Sequence, residues 1–380
     1  MIQLPVAHAR TPSGKLRARG AGIPFDGEPG EHNAITDVAG VEVGYCTLIA
    51  GEGVRTGVTL VLPQGRAQAA SAVWAGVHSL NGNGEMTGFA WVKEAGRCEG
   101  PIALTNTHAV GTVRDSLIAW LRTQPSHRHP NDSRFWLPVV AETYDGELND
   151  IDGGHVQAEH VGLALENVMS GRIEEGSVGG GTGMRCYQFK AGTGTASRRV
   201  AGDPGWTVGA LVQANFGRRY MCTLAGIPVG PHFPVEAELP EDHLETGSLI
   251  VVLATDAPLL PHQLTRLAQR AGLGMARSGG ISSHYSGDLF VAFSTANTHA
   301  LLAAEQPVKV DYFPDQALSP LFEAAVQVTD EAIVNSFVGT PAMTGRDGHR
   351  VSGLPVHEVQ KILRHHGRLL ETDGGQAVDV

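Results

Sequence analysis

The chain of 380 residues has a formal net charge of −11, with 42% hydrophobic and only 18% charged residues. A chain of this length and composition can bury a large core, and its acidic balance argues against nucleic acid or an anionic membrane as a partner. The absence of a CxxC pair, of a basic leader with an apolar core and of a membrane-length apolar run predicts a cytoplasmic protein with reduced cysteines. The four cysteines are Cys46, Cys98, Cys186 and Cys222.

The first part of the chain predicts strands joined by turns. Residues 1–32, rich in Gly, Pro and Arg, predict an irregular arm, and helical spacing of apolar residues predicts a helix over 111–123. Short alternating or apolar runs predict strands at 41–45, 57–63, 69–76, 101–108 and 136–141.

Two predicted loops in this part contain residues that could bind a ligand. Residues 80–88 have the spacing GxGxxxG, which matches no nucleotide-binding fingerprint. We expect a turn there, with a role in lining a pocket as the alternative. His127 and His129 lie in a polar loop without further ligand residues, so we expect a surface loop and no metal site.

Polar side chains follow two predicted strands. Glu142 and Tyr144 come directly after the strand at 136–141, and strand ends are well placed to carry a site. Asn215 lies near the end of the strand predicted at 206–217. A buried Asn needs hydrogen-bond partners, and its amide could equally stabilise an oxyanion. Between these strands the pattern predicts a helix at 156–169 and a glycine-rich turn at 176–184, beside the site.

The step from Gly247 to Ser248 leads directly into the apolar, β-branched run 249–254, which predicts a strand buried on both faces. A Gly-Ser step at the start of such a strand holds a hydroxyl beside a carbonyl that no Cβ shields. This arrangement suits a serine that attacks its own preceding peptide bond. An ordinary junction between loop and strand is the alternative.

A second polar cluster, with Ser286 and Asp288, precedes the strand predicted at 289–294. Taken alone, residues 286–288 are more typical of a turn than of a catalytic relay. Amphipathic spacing predicts the remaining helices, and the polar tail 371–380 is expected to fray. These helices are at 261–272, 320–336 and 356–365.

Seven short stretches, in order along residues 20–340, together resemble the L-aminopeptidase/D-esterase-amidase family, the DmpA-type β-aminopeptidases. The stretches are 33–38, 80–85, 105–108, 142–146, 213–217, 246–248 and 286–288. The resemblance implies an α+β fold, a four-layer αββα sandwich similar to N-terminal-nucleophile hydrolases but with different connectivity. It also implies one domain over 1–380 that cleaves itself into chains 1–247 and 248–380.

The resemblance further implies a role for each matching residue. Cleavage between Gly247 and Ser248 would make Ser248 a new N-terminus and the nucleophile, with its own α-amine as general base. Ser286 and Asp288 would orient that amine and relay its proton. The remaining implied roles are oxyanion donation by Asn215 with assistance from Tyr144, and binding of the substrate's ammonium group by Glu142.

The implied activity is that of a serine aminopeptidase acting on peptides, amides and esters with a free N-terminal amine, without cofactor or metal. The implied assembly is a homo-oligomer of processed heterodimers. Two other functions remain open from the residues: a Ser-His-Asp hydrolase using His284, and an unprocessed, non-catalytic binding relative. The sequence has no GxSxG, SxxK or HExxH motif of other hydrolases.

Overall fold

The computed structural model describes residues 2–124, 136–203, 205–235, 247–301 and 307–372. The helices there are α1 (Val6–Ala9), α2 (Phe89–Ala95), α3 (Val110–Leu121), α4 (Ala158–Glu166), α5 (Pro261–Gln269), α6 (Ala271–Arg277), α7 (Ser319–Asn335) and α8 (Val356–His365). The long strands are β1 (Glu42–Ala50), β2 (Val54–Leu62), β3 (Ala72–Gly82), β4 (Arg97–Glu99), β5 (Ile102–Asn106), β6 (Val139–Thr143), with β9 (Thr193–Val200), β10 (Trp206–Asn215), β13 (Gly247–Thr255) and β14 (Ser286–Ser294). Two-residue strands complete the numbering as β7 (Arg185–Cys186), β8 (Phe189–Lys190), β11 (Thr223–Leu224), β12 (Ile227–Pro228), β15 (Met343–Thr344) and β16 (Arg350–Val351).

Two sheets form the centre of the molecule. One has the strand order β1-β2-β5-β6, and the other has the order β4-β3-β14-β13-β10-β9. In the larger sheet β13 and β14 are parallel, whereas β13 and β10 are antiparallel. The starts of β13 and β14 and the end of β10 therefore meet at one edge of this sheet.

Three apolar clusters show that the sheets lie between two helical layers. Ile250 and Val252 of β13 pack with Leu104 of β5 between the sheets. The alternate residues Leu249 and Val251 pack with helices α5 to α8, as expected for a strand whose side chains alternate between faces. The outer face of the smaller sheet packs against α3 and α4. The predicted αββα sandwich is the observed architecture.

The N-terminal segment differs from the predicted irregular arm. It contains α1, and Arg17 and Ile23 are buried. Arg17 donates to Glu175 with Nε at 2.8 Å, so a charged residue within this segment is part of the protein interior. The Arg-rich composition of the segment gave no indication of this burial, because burying Arg17 is favourable only with a partner from a distant part of the chain.

Several element boundaries also differ from the expectations. β13 and β14 begin at Gly247 and Ser286, ahead of the apolar runs, because the small polar residues continue the pairing of the two strands. The expected helix at 261–272 is two helices, α5 and α6, and β9 was not predicted. Among the described residues, no helix combines the length and apolar character needed to cross a membrane.

Candidate active site

Ser248 is the second residue of β13 and lies at the edge where three strands meet. Its register partners are Asn215 of β10 and Gly287 of β14. The Ser248 side chain is buried, and the backbone N–H of Gly287 donates to its Oγ at 3.2 Å. Pairing on both sides therefore fixes the position of this hydroxyl.

Gly247 lies against the backbone of β10. A Cβ at this position would lie 2.6 Å from the carbonyl oxygen of Asn215 and 2.8 Å from Cα of Phe216. Neither backbone atom can move without disturbing the sheet. Close approach of two backbones, rather than an unusual φ angle, therefore requires glycine before the serine.

Asp288 is buried, and its carboxylate accepts three hydrogen bonds near the start of β13. Its Oδ1 accepts from the N–H of Leu249 at 3.0 Å and from Oγ of Ser286 at 2.8 Å, while its Oδ2 accepts from Oγ of Ser282 at 2.5 Å. Burial raises the pKa of Asp288, and these three donors oppose that rise. The carboxylate thus links Ser286 to the residue that follows Ser248. Ser282 lies in the same polar cluster of the sequence, but no motif there gave it a role.

Asn215 has its side-chain amide held at both ends. Its Oδ1 accepts from the N–H of Arg185 at 3.0 Å, and its Nδ2 donates to the carbonyl oxygen of Tyr144 at 2.9 Å. An amide nitrogen carries two hydrogens, and directly paired residues of antiparallel strands present their side chains on one face. The second Nδ2 hydrogen is therefore on the face of the sheet that carries the Ser248 side chain.

Tyr144 is linked to this group through its main chain. Its carbonyl accepts from Asn215, and its ring covers Gly146, where a Cβ would lie 2.3 Å from the phenol oxygen. The ring is half-buried. Tyr144 therefore helps to orient the Asn215 amide, in addition to the role expected for its hydroxyl.

Glu142 is on β6 of the other sheet and is buried. Its Oε1 accepts from the N–H of Glu85 at 2.9 Å, and its Oε2 accepts from Oγ1 of Thr107. Burial raises the pKa of Glu142, although both hydrogen bonds oppose the rise. A carboxylate in this setting has donors for its oxygens but forms no ion pair among the described residues, and the nearby charge of His108 offsets its burial only in part.

The first three residues of the turn expected at 80–88 are the end of β3, and residues 83–88, which follow β3, connect the Glu142 region to β14. A Cβ at Gly84 would lie 3.1 Å from Cα of Gly287 and 3.2 Å from Oε1 of Glu142. The N–H of Gly287 is the group that contacts Ser248. The alternative interpretation of this segment, that it lines the site, is therefore the better one, and Gly84 lies between Glu142 of one sheet and Gly287 of the other.

His284 does not join this group. His284 is exposed and packs against Tyr285, with ring centroids 4.7 Å apart; among the described residues no hydrogen bond joins its ring to a serine. His127 and His129 lie outside the described residues. Within the described ranges, no three His, Cys, Asp or Glu side chains are grouped as a metal would require.

Comparison with known proteins identifies the family. The model of peptidase family S58 matches residues 33–351. The chain belongs to peptidase family S58. Beta-peptidyl aminopeptidase BapA of Sphingosinicella microcystinivorans is 49% identical over 93% of this chain and 93% of the relative. BapA of Sphingosinicella xenopeptidilytica is 42% identical over 92% of this chain and 91% of that relative.

Solved structures agree with this S58 assignment. A Burkholderia sp. beta-aminopeptidase has a TM-score of 0.84 at 48% identity, covering 93% of this chain and 99% of the other. The L-aminopeptidase D-Ala-esterase/amidase of Ochrobactrum anthropi has a TM-score of 0.85 at 44% identity, with the same coverage. The latter is described as a prototype of the serine aminopeptidases with a new variant of the Ntn-hydrolase fold. The expected family, the fold and the assignment as a hydrolase of the aminopeptidase type are confirmed. The roles of individual residues stay predictions.

Proposed function

We propose that this S58 member is a serine aminopeptidase that matures by cleaving its own Gly247–Ser248 bond and then removes N-terminal residues from peptides, amides and esters. The observation that carries the proposal is the position of the Ser248 hydroxyl, held between Asn215 and Gly287 where three strand ends meet. No other serine of the site combines a central strand, a preceding glycine fixed by backbone contact and an adjacent amide donor.

In the maturation step, Ser248 Oγ attacks the carbonyl carbon of Gly247, and the acyl group moves from nitrogen to oxygen. Water then hydrolyses the resulting ester. The products are a carboxylate on Gly247 and a free α-amine on Ser248. This amine has a reference pKa of about 7.7–8.0, which is suited to a general base near neutral pH.

In the peptidase step, the Ser248 amine accepts the hydroxyl proton as Oγ attacks the substrate carbonyl. The free Nδ2–H of Asn215 faces the developing oxyanion, and such a donor contributes about 10²–10³-fold to the rate. The leaving amine takes the proton, and water hydrolyses the acyl-enzyme. Ser286 and Asp288 hold the start of β13, through the contacts of Asp288 with Leu249 and Ser286, so that the amine stays beside Oγ.

The free amine of the substrate supplies the cationic partner for Glu142. Its buried carboxylate, supported by Glu85 N–H and Thr107, is suited to an ammonium group because the charge and the hydrogen bonds can be satisfied together. An N-terminal ammonium fixed there places the first peptide bond, and not an internal one, at Ser248. This arrangement favours exopeptidase over endopeptidase action.

The test of the proposal is a denaturing gel of freshly purified protein with N-terminal sequencing of the smaller band. We expect two bands of roughly 26 and 14 kDa by scaling the chain mass to length, and a smaller chain that begins at Ser248. Ser248→Ala should give one intact, inactive chain, whereas Ser248→Cys should still be cleaved because a thiol is a strong nucleophile. An active enzyme with a single intact chain would refute self-processing.

We also propose, from the family resemblance, that processed heterodimers assemble into a homo-oligomer. The mass of the native enzyme from size-exclusion chromatography with light scattering measures this directly. A species with the mass of one heterodimer at all accessible concentrations would contradict it.

A further inference from the structure

Lys190, the last residue of β8, is fully buried. Its ammonium group donates to the carbonyl oxygens of Met184 at 2.8 Å and Ala191 at 2.5 Å, and none of the described carboxylates forms an ion pair with it. Burial lowers the pKa of Lys190, and the charge of Lys15 lowers it further. Because an amine can donate to both carbonyls whether it is protonated or neutral, these two contacts fix the Met184 and Ala191 carbonyls and point to a positioning role for Lys190.

One of these two carbonyls belongs to a peptide group that also contacts the site. The carbonyl of Met184 binds Lys190, and the N–H of the same peptide, carried by Arg185, donates to Oδ1 of Asn215 at 3.0 Å. A chain of hydrogen bonds therefore leads from the ammonium group through one peptide unit to the Asn215 amide. Its last member is the Nδ2–H on the face of Ser248.

We propose that Lys190 is a positioning residue for the oxyanion site, and that it acts by orienting and polarising the Asn215 amide through the Met184–Arg185 peptide. A hydrogen-bond donor on a carbonyl oxygen makes the N–H of that peptide a stronger donor, and the bond to Oδ1 in turn strengthens the Nδ2–H, since hydrogen bonds in a chain polarise one another. The inference rests on the proposed function, because it assigns Asn215 the oxyanion.

The turn between β7 and β8 holds this arrangement rigidly. Tyr187 and Gln188 have φ angles of 52° and 59°, which non-glycine residues adopt rarely. Arg219 supports both of them: its Nε donates to the carbonyl of Tyr187 at 3.0 Å, and its N–H donates to Oε1 of Gln188 at 2.9 Å. Unfavourable backbone held by surrounding contacts is typical of functional sites.

The first experiment compares Lys190→Met with Lys15→Met, using the purified full chain and a small amino-acid p-nitroanilide. Rates are divided by the molar amount of the processed 248–380 chain, so that poor maturation does not appear as poor catalysis. For Lys190→Met we expect kcat to fall about ten- to a hundredfold, with KM changed less than about threefold, because the donor acts on the transition state. Lys15, which binds Glu174 and the carbonyl of Glu175, is the matched control. It acts on Lys190 only through its charge, so the Lys15→Met variant keeps both donations of Lys190 and its kcat should change less than about twofold.

The second experiment is a double-mutant cycle. In an Asn215→Ala background, Lys190→Met should change kcat by less than about threefold, because its path to the oxyanion is gone. Equal losses in both backgrounds, or a wild-type kcat for Lys190→Met, would overturn the inference. Another outcome is a Lys190→Met chain that folds without being processed. This result supports the inference if Asn215→Ala is unprocessed as well and Lys15→Met is processed. Any other combination contradicts the inference.

Folding failure is also decisive. If Lys190→Met does not fold, Lys190→Gln, which keeps a neutral donor, is measured in the same way; failure of both would assign Lys190 to the fold and refute the inference. A wild-type enzyme without a chain beginning at Ser248 would refute the proposed function instead. A processed, active wild type with an unaffected Lys190→Met variant would refute only the role of Lys190.

Discussion

Glu142 shows how a single buried carboxylate can select a substrate. Its oxygens accept hydrogen bonds from Glu85 N–H and Thr107, yet burial still raises its pKa. An ammonium group arriving beside it would favour the ionised form and lower that pKa again. Binding of the substrate's amine and ionisation of Glu142 are therefore mutually stabilising.

This coupling predicts the response to blocking the substrate's amine. The wild type should cleave alanine p-nitroanilide but scarcely react with its N-acetylated form. Glu142→Gln should lower kcat/KM for the free amine by about ten- to a hundredfold, as expected for a charge-assisted contact of about 1.5–3 kcal/mol. Self-cleavage should remain, because that step involves no free amine.

The matched control is Glu85→Gln, which removes a neighbouring exposed carboxylate but keeps the backbone N–H that binds Glu142. The Glu85→Gln variant should keep its selectivity for the free amine, because loss of the Glu85 charge, which raises the pKa of Glu142, favours the ionised form of Glu142. Equal wild-type rates on both substrates would refute the aminopeptidase mechanism proposed here. Unchanged selectivity in Glu142→Gln alone would show that another group binds the ammonium.

At the scale of elements, α7 is attached to the N-terminal segment and to β9 through one buried carboxylate. Glu331 on α7 binds Nη2 of Arg198 on β9 at 2.6 Å and Nε of Arg19 at 2.8 Å, and Nδ2 of Asn33 donates to it as well. Burial alone would raise the pKa of Glu331, but the charges of Arg198 and Arg19 outweigh it and hold the pKa well below its ordinary value of 4.5.

Glu331→Gln should destabilise the protein strongly, by about 3–5 kcal/mol, because it leaves buried guanidinium groups without their countercharge. Since the folded-state pKa is lowered, the stabilisation from Glu331 is complete above pH 4.5 and is lost as the pH falls below that value. Thermal unfolding from pH 3 to 7 should therefore show a steeper acid decline of Tm in the wild type than in Glu331→Gln.

Glu323→Gln provides the control on the same helix, because Glu323 is exposed and its carboxylate binds only Gln327 among the contacts described for it. It should leave Tm nearly unchanged at every pH. A Glu331→Gln protein with the wild-type Tm at neutral pH would show that the buried charges around α7 are compensated elsewhere.

Elements buried through apolar contacts can be predicted from the sequence, whereas elements buried through polar networks cannot. The helix expected at 356–365 is α8, because a single apolar stripe decides its structure. β9 was missed because its buried residues include Thr195, Ser197 and Arg198, whose burial depends on partners such as Glu331. A hydrophobic pattern cannot reveal a strand that is buried through polar contacts.

The site residues could likewise be predicted only in part. The polar residues at strand ends were identified from short motifs in a recognisable order. Gly84 and Thr107 lie in two of the matching stretches but received no role of their own, and Lys190 lies in none of them. The reason is that their contacts with Glu142, Gly287 and the Met184 carbonyl arise only when distant segments pack together. Residues that position others carry little signal in a single sequence.

At the scale of the whole molecule, the proposed cleavage divides the site between two chains. The small chain would carry Ser248 with Ser286 and Asp288, and the large chain would carry Asn215, Tyr144 and Glu142. β13 pairs with β10, and β14 pairs with β3, so both outer edges of the small chain's strand pair are covered by the large chain. Separation would expose the apolar faces of both strands.

The two chains should therefore remain bound after processing, but the folding reaction should change from unimolecular to bimolecular. We expect processed enzyme to elute as one complex, and to refold from denaturant with a yield that rises with protein concentration, since association of two chains follows mass action. The intact Ser248→Ala chain, which keeps the connection, should refold with a yield that does not rise with concentration, because closing a loop within one chain is independent of it. Recovery of both proteins is measured by circular dichroism after dilution. The two proteins share the same strand pairing and differ in chain connection and at residue 248. Dissociation of the processed chains under native conditions would contradict the expectation that the pairing of β13 and β14 with β10 and β3 holds the two chains together. Equal concentration dependence of refolding for the two proteins would contradict it as well.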